Sequence, residues 1–373
     1  MSMQSDVRDC QRLMRGGSKS FFAASRFLPA DIRQSAMALY AFCRVADDAV
    51  DLIEEDASGG RSLAEKRHQA LRDLYQRLDN IYANRPLDHP ADRAFARLVH
   101  QQSLPKVLPL LLLEGFAWDA EGRGYETVEA LDAYAVRVAG SVGLMMAWIM
   151  GVRQPMVLAS ACEMGMAMQM TNIARDVGED ARAGRLYLPM QWMREAGIQP
   201  QSWLKAPRHD DALASVVSRL LAHADALYQH ALWAIDYLPW RCRPAIRAAG
   251  SIYAEIGREI ERYALDSVNR RAIVGASRKW QLMFVALTRC LRSCVVPLSD
   301  QVAQLTSLPA SVRPVIEDLL DSGQAAWQPT AGPSARGLAG LAEVFERLDS
   351  LDRQQRAKQH PGFRADTPTV FSG

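Results

Sequence analysis

Hydrophobic positions recur along this chain with the spacing of helices. Apolar residues return every three or four positions almost throughout, whereas alternating β-branched runs are scarce. Leu, Ala, Met, Arg and Glu, all good helix formers, dominate these stretches. The pattern predicts helices near 5–15, 19–25, 30–54, 62–82, 91–102, 105–121, 127–150, 155–181, 189–195, 210–236, 240–265 and 277–296. Breaks fall at Gly16-Gly17, Ser58-Gly59-Gly60, Arg85-Pro86, Gly122-Arg123-Gly124 and Arg153-Gln154-Pro155. No internal repeat of fixed period interrupts this order. Residues 1–300 are expected to form one all-α domain. Residues 301–373 are expected to be an extension, with QPTAGPS (328–334) as a linker, one polar amphipathic helix after it, and a disordered end.

Two helical stripes break the usual inside–outside rule. Tyr40, Arg44, Asp47 and Asp51 share one face of the segment ALYAFCRVADDAVD, with Asp48 to one side. Gln169, Asn172, Asp176 and Asp180 share one face of MGMAMQMTNIARDVGEDARAGRLYLP, flanked by Arg175. At about 100° per residue, spacings of three and four keep each set together. The carboxylates thus share a face with Tyr, Gln and Asn inside otherwise apolar helices. A lone DDxxD is weak, since many surface helices carry Asp at i and i+4. Two such stripes, about 125 residues apart in the chain, predict a cleft lined by hard oxygen ligands. Magnesium carrying a diphosphate needs such ligands, with several positions left to water and phosphate.

Composition narrows the alternatives. The 373 residues carry 44 Lys+Arg against 42 Asp+Glu, a net charge of +2, so nucleic acid is not favoured as a partner. The N-terminus MSMQSDVRDC lacks the pattern of a signal peptide. No apolar run is long enough to span a bilayer, and VLPLLLLEGFAW is short and contains Glu114. A cytoplasmic protein is expected, with room for a peripheral membrane contact. The six cysteines form no CxxC pair and the seven histidines no HExxH, so neither zinc nor a disulfide framework is expected. GxGxxG after a strand, GxxxxGK[ST] and GxSxG are all missing, which removes the usual support for nucleotide binding or serine hydrolysis.

The same residues carry a resemblance. SKSFFAA (18–24), YAFCRVADDAVD (40–51), YAVRVAGSVG (134–143), GMAMQMTNIARDVGEDARAGRLYLP (165–189) and AGSIYAEIGREI (249–260) resemble, in this order, the motifs of the squalene/phytoene synthase family, the head-to-head prenyl synthases. NIARDVGEDARAGRLYLP is most similar to the bacterial phytoene synthases. The resemblance implies a class I isoprenoid synthase fold, a helical bundle around a central cavity. It implies condensation of two geranylgeranyl diphosphates, through prephytoene diphosphate, to 15-cis-phytoene, the first committed step of carotenoid biosynthesis, with Mg2+ or Mn2+ as cofactor and no NADPH. Asp47, Asp48, Asp51, Asn172, Asp176 and Asp180 are the metal set it implies. Tyr134 and Tyr253, with Asp47, Asp51, Asp176 and Asp180, are the implied catalytic residues. Ser18, Ser20, Phe21, Tyr40, Arg44, Gln169, Asn172 and Arg175 are the implied substrate contacts.

Several of these residues have a plainer reading as well. Arg44 and Arg175 either grip diphosphate or form structural ion pairs with neighbouring aspartates. Ser18 and Ser20 bind phosphate at a helix start or simply cap it. Tyr40, Tyr134 and Tyr253 offer aromatic faces to a carbocation, or are core tyrosines. Gln169 and Asn172 hydrogen-bond diphosphate, or are structural amides. Arg270, Arg271, Arg278 and Lys279 touch diphosphate or an anionic membrane, or form a solvated basic face.

Eight of the fifteen methionines lie between Met145 and Met170, beside a helix face of Gly140, Gly143, Ala147 and Gly151. An apolar tunnel is expected between these helices, with Met145, Met146 and Met168 in its lining, and Gly143→Phe is expected to block it. Rival activities are another head-to-head synthase (squalene, dehydrosqualene or presqualene diphosphate), a class I terpene cyclase and a non-catalytic helical paralogue. The cyclases carry N-D-x-x-S-x-x-x-E where this chain reads N-I-A-R-D-V-G-E-D. A paralogue would be expected to have lost acids that are all present here.

Overall fold

The computed structural model describes residues 3–17, 24–51, 63–292 and 311–321. In chain order the helices are α1 (Met3–Gly17), α2 (Ala30–Asp51), α3 (Leu63–Tyr82), α4 (Pro90–Gln102), α5 (Val107–Ala120), α6 (Val128–Ile149), α7 (Pro155–Arg182), α8 (Met190–Glu195), α9 (Pro200–Lys205), α10 (Asp211–Leu232), α11 (Arg243–Arg262), α12 (Ala276–Arg292) and α13 (Arg313–Asp321). Among the described residues there is no strand. The all-α expectation holds, and local chemistry sets many of the boundaries. Asp210 caps α10 by accepting from the Leu213 amide at 2.9 Å, and Thr127 caps α6 through Ala130 at 3.3 Å. Pro90, Pro155 and Pro200 sit in the first turns of α4, α7 and α9, where a missing N–H costs nothing.

At the centre lies α7, which packs against α6, α10 and α11. It is 28 residues long, or about 42 Å at 1.5 Å per residue. Its contact with α6 is made backbone to backbone. A Cβ on Gly165 would lie 2.2 Å from the Ala139 carbonyl oxygen, one on Gly143 2.1 Å from the Ala161 oxygen, and one on Gly140 2.6 Å from Cys162 Sγ. Residue numbers rise along one helix as they fall along the other across these contacts, so α6 and α7 run antiparallel. The small-residue face therefore serves the helix–helix contact, while Gly143 also borders the cavity between the two helices. Gly143→Phe would strike the Ala161 backbone before it reached any substrate, so it does not test the tunnel, contrary to the expectation from sequence.

Three features were not anticipated. Residues Val136–Gly140 of α6 form a π turn. The Ser141 hydroxyl there donates to the Arg137 carbonyl at 2.5 Å, and the Arg137 guanidinium to the Ala133 carbonyl at 2.9 Å, which supports the widened turn. The short helix α9 starts at Pro200 in a stretch with too few residues for periodicity to register. Helix α13 lies beyond the expected boundary at residue 300, yet Val312, Val315, Ile316 and Leu319 join the same core as the body. The polar helix and tail expected after residue 334 lie outside the described residues.

One helix, Val128–Ile149, is long and apolar enough to cross a membrane, but 56% of its most apolar window is buried in the protein. It is the core helix α6. Charge pins the periphery: buried Asp6 of α1 accepts from Arg93 and Arg97 of α4, at 2.5 and 2.8 Å, and Asp92 from Arg77 of α3 at 2.5 Å.

The glycine contact yields a stability prediction. Gly165→Ala should lower unfolding free energy by about 2–3 kcal/mol, because the clash is with backbone that cannot step aside. Gly16→Ala on α1, where nothing lies within 4 Å, should stay within about 1 kcal/mol of the parent. Urea unfolding of both variants checks this; equal midpoints would refute the close-packing account.

Candidate active site

Five helical segments enclose a cavity of about 320 Å³. Its walls come from α2, α6, α7, the end of α10 with the turn Trp233–Tyr237, and α11. Met146, Met150, Met164 and Met168 line it; Met145 does not, and is packed in the core instead. Most of the lining is apolar. Tyr40 of α2, Gln169 and Asn172 of α7 and Tyr253 of α11 all face the cavity.

One turn beyond these residues both helices become ionic. On α2, Arg44 holds Asp48 at 2.5 Å and Asp47 at 3.5 Å. On α7, Arg175 donates to Asp176 at 2.8 and 2.6 Å, and Arg271, from the loop after α11, donates to the same carboxylate at 2.8 and 3.2 Å. Burial works against the Asp176 charge, but these guanidinium bonds outweigh it and hold its carboxyl below the usual range. Arg271 also reaches Glu179 at 3.3 Å. Arginine thus supplies the positive charge that the acidic stripes require. Among the described residues, no three carboxylate, imidazole or thiol groups are drawn together around one point. Asp51 ends α2, and its side chain lies outside the described residues, as do Ser18, Ser20 and Phe21.

Asp180 differs from the other acids. Burial, then the charges of Asp176, Glu179 and Asp119, push its carboxyl up to about 7, against which Arg185 acts only in part. Asn172 Oδ1 is buried and has no hydrogen-bond partner. An anionic oxygen short of positive charge and an amide oxygen short of a donor, two turns apart on one helix face, both fit a hard cation. The donor set is all oxygen, which suits magnesium or manganese better than zinc.

Tyr134 occupies a different place. It is almost fully buried and does not line the cavity. Its hydroxyl donates to Asp119 Oδ2 at 2.9 Å, while Tyr187 donates to Asp119 Oδ1 at 2.7 Å. The rings of Tyr125, Tyr134 and Tyr187 pack with centroids 5.0–6.2 Å apart. Burial and the Asp119 charge keep the Tyr134 and Tyr187 phenols protonated. Asp119 therefore ties α5, α6 and the loop carrying Arg185 and Tyr187 into one wall beside Asp180. It was missed in the sequence, although a signal exists: it is an acid at the end of the apolar helix VLPLLLLEGFAWDA. The remaining basic cluster is divided. Arg278 pairs with Glu255 at 2.8 Å, Arg270 lies over the Tyr263 ring at 5.6 Å, and Lys279 borders a small cleft with Arg175 and Arg271.

The raised Asp180 carboxyl gives a signed prediction. In the unfolded chain this proton leaves near pH 4, in the folded protein near 7. The folded state binds the extra proton between these values, so stability falls as pH rises through that window and the cost persists above it. In EDTA-treated protein, Asp180→Asn should raise stability at pH 8 by on the order of 1–3 kcal/mol. The gain should shrink to nothing toward pH 4. A gain independent of pH would show that the carboxyl is not held protonated.

Comparison with known proteins gives the family. The chain is 49% identical over 302 residues to the phytoene synthase of Rhodobacter capsulatus, covering 81% of this chain and 87% of that one. It is 44% identical over 366 residues to the phytoene synthase of Cereibacter sphaeroides, covering 98% and 99%. Among solved structures it matches a dehydrosqualene synthase with a TM-score of 0.68 and 29% identity, over 78% of this chain and 98% of that one. A squalene synthase from Alicyclobacillus acidocaldarius matches with a TM-score of 0.62 and 25% identity, over 70% and 95%. Residues 14–279 match the family described as squalene/phytoene synthase. The chain belongs to the squalene/phytoene synthase family.

Proposed function

We propose that this chain is a 15-cis-phytoene synthase. It condenses two geranylgeranyl diphosphates head to head, through prephytoene diphosphate, into a C40 hydrocarbon and two diphosphates. The single observation that carries this reading is the cavity: an apolar chamber lined in part by Tyr40, Gln169, Asn172 and Tyr253, with ionic groups one turn beyond on α2 and α7.

Heterolysis of an allylic C–O bond leaves an anion and a cation close together. At the anionic end, Arg44, Arg175 and Arg271 are already placed beside the carboxylates, and each guanidinium can turn its fork to phosphate oxygens. Asp47, Asp51, Asn172, Asp176 and Asp180 would hold Mg2+ or Mn2+ ions, which would supply Lewis-acid chemistry to the leaving diphosphate. Asp48 is engaged by Arg44 and contributes charge at longer range. Toward the cavity, the amides of Gln169 and Asn172 bind diphosphate oxygens without adding an anion that would trap the cation. The rings of Tyr40 and Tyr253 line the cavity, where their negative faces stabilise a cation. Burial keeps the Tyr40 phenol protonated, so it does not act as a nucleophile. Outside the cavity lining, Asp119 fixes Tyr134 and Tyr187 as neutral groups near Asp180. The methionine walls exclude water, which would otherwise quench the allylic cation.

Redox balance sets the cofactor requirement. The final C40 cation becomes phytoene by losing a proton, for which released diphosphate is a sufficient acceptor. Squalene formation would instead consume a hydride. The hydrocarbon product is insoluble in water, so release to a membrane surface by peripheral contact completes the reading.

Two outcomes test it. Purified protein with geranylgeranyl diphosphate should make phytoene; EDTA should abolish the product, Mg2+ or Mn2+ should restore it, and NADPH should change neither rate nor product mass. A product that appears only with NADPH would assign squalene-type chemistry. Asp47→Asn, Asp51→Asn, Asp176→Asn and Asp180→Asn should each lower turnover by on the order of a hundredfold or more, because an amide keeps the shape but loses the anionic ligand. Helical circular dichroism should be retained. Near-parental turnover in two of the four would remove the two-stripe metal site.

A further inference from the structure

We propose that α7 acts as a ruler, and that its fourth turn from Asn172, marked by Ser160 and Val157, selects the four-isoprene chain. This rests on the phytoene-synthase reading above and names the residues that set its substrate length.

The residues of α7 that line the cavity recur turn by turn: Asn172, then Gln169 and Met168, then Gly165 and Met164, then Ala161 and Ser160, and last Val157. An extended isoprene unit advances about 5 Å, nearly the 5.4 Å pitch of one helical turn. A chain that starts beside Asn172 and lies along α7 therefore passes about one turn per unit. Three units end near Ala161. The fourth extends past Ser160 to Val157, about 22 Å from Asn172 by helix rise.

The antiparallel helix α6 reaches the same level from the other side. Antiparallel α6 contributes Val138 and Ala139 beside Gly165, and its lining residues run out at Met150, beyond the contact of Gly143 with Ala161. Ala231, Ala234, Ile235 and Leu238 bring the end of α10 and its following turn to the cavity. The middle of the chamber has little freedom to widen, because Gly143 and Gly165 already set α6 against α7 backbone to backbone. Val157 is 1% and Ser160 4% exposed, and both sit on the rigid central helix. They form a stop on the rigid helix, faced across the chamber by Met146 of α6, whereas Met164 and Met168 nearer the reacting end can adapt their rotamers.

The test measures selectivity by position. Full-length protein with Mg2+ is assayed with geranylgeranyl (C20) and farnesyl (C15) diphosphates, and the C20/C15 ratio of kcat/KM is taken. Where C15 is not turned over, the inhibition constants of the two unreactive thiodiphosphate analogues give the ratio. Val157→Phe and Ser160→Leu should each lower this ratio tenfold or more, the scale of a steric pocket change. Met168→Trp, one turn from Asn172, should weaken both substrates together and keep the ratio within about threefold. Circular dichroism confirms folding. If Val157→Phe does not fold, Val157→Ala takes its place and should improve use of a five-isoprene diphosphate relative to C20. Folded variants at turn four with the parental ratio overturn the ruler, as does an equal shift from Met168→Trp. A parent that makes no C40 product from geranylgeranyl diphosphate overturns the underlying reading instead.

Discussion

The approach of α6 to α7 through glycine is the constraint on which the rest of the site depends. A Cβ at Gly143 or Gly165 would sit 2.1–2.2 Å from a carbonyl oxygen of the partner helix, a distance no side chain tolerates. The two backbones therefore touch along one line, and the larger residues beside that line stand away from it. Met146 and Met150 on α6, and Met164 and Met168 on α7, become cavity wall for this reason. The π turn Val136–Gly140 falls where Gly140 meets Cys162 and Ala139 meets Gly165. An α6 of uniform pitch would rotate the residues after the turn relative to those before it. The irregular turn lets Tyr134 point to Asp119 while Val142 and Met146 still line the cavity.

Charge at the other end follows a different rule. Burying carboxylates is costly unless cations accompany them. Arginines meet that need for Asp47, Asp48 and Asp176. Asp180 receives less, and its raised proton affinity records the deficit. The site therefore holds oxygens short of partners, at Asp180 and Asn172, beside the guanidinium groups of Arg44, Arg175 and Arg271. Under the proposed function, such an arrangement suits a ligand that brings both cation and anion: a metal would relieve the carboxylates, and a diphosphate would take over the arginines.

Much of this was legible in the sequence because helical spacing is local information. The three- and four-residue intervals of Tyr40, Arg44 and Asp47, and of Gln169, Asn172 and Asp176, place each set on one face whatever the tertiary packing. The family resemblance then fixed the fold and the chemistry. What the sequence withheld was long-range pairing. Nothing near Asp119 announces that it meets Tyr134 and Tyr187, which are 15 and 68 residues away. Tyr134 looked like a cavity residue on the strength of its motif, but its hydroxyl is committed to Asp119 outside the cavity lining. The glycine face could be read equally as a bed for a helix or for a substrate, and only the Ala161 and Ala139 backbones decide for the helix. Arg271 looked like part of a basic run, whereas its position against Asp176 comes from a contact across 95 residues.

These strands meet in the single helix α7. Along one face it passes from carboxylate at Asp180 and Asp176, through amide at Asn172 and Gln169, to thioether at Met168 and Met164 and branched aliphatic at Val157. Cation chemistry needs that order. The leaving anion must be stabilised where charge density is high, but the carbocation left behind must see no nucleophile stronger than an aromatic face or an amide. Placing carboxylate next to the cation would trap it; placing apolar wall next to the diphosphate would prevent ionisation. The amide turn separates the two demands by about one helical pitch, 5.4 Å, roughly the length of the isoprene unit in which the charge develops. A helix is suited to this task because its rise is fixed by backbone hydrogen bonds, so the interval between ionising end and hydrocarbon end does not depend on side-chain rotamers. Under the proposed function, the polarity sequence of α7 and the rigidity of its glycine contact thus serve one end, to hold a reactive cation at a set distance from everything that could destroy it.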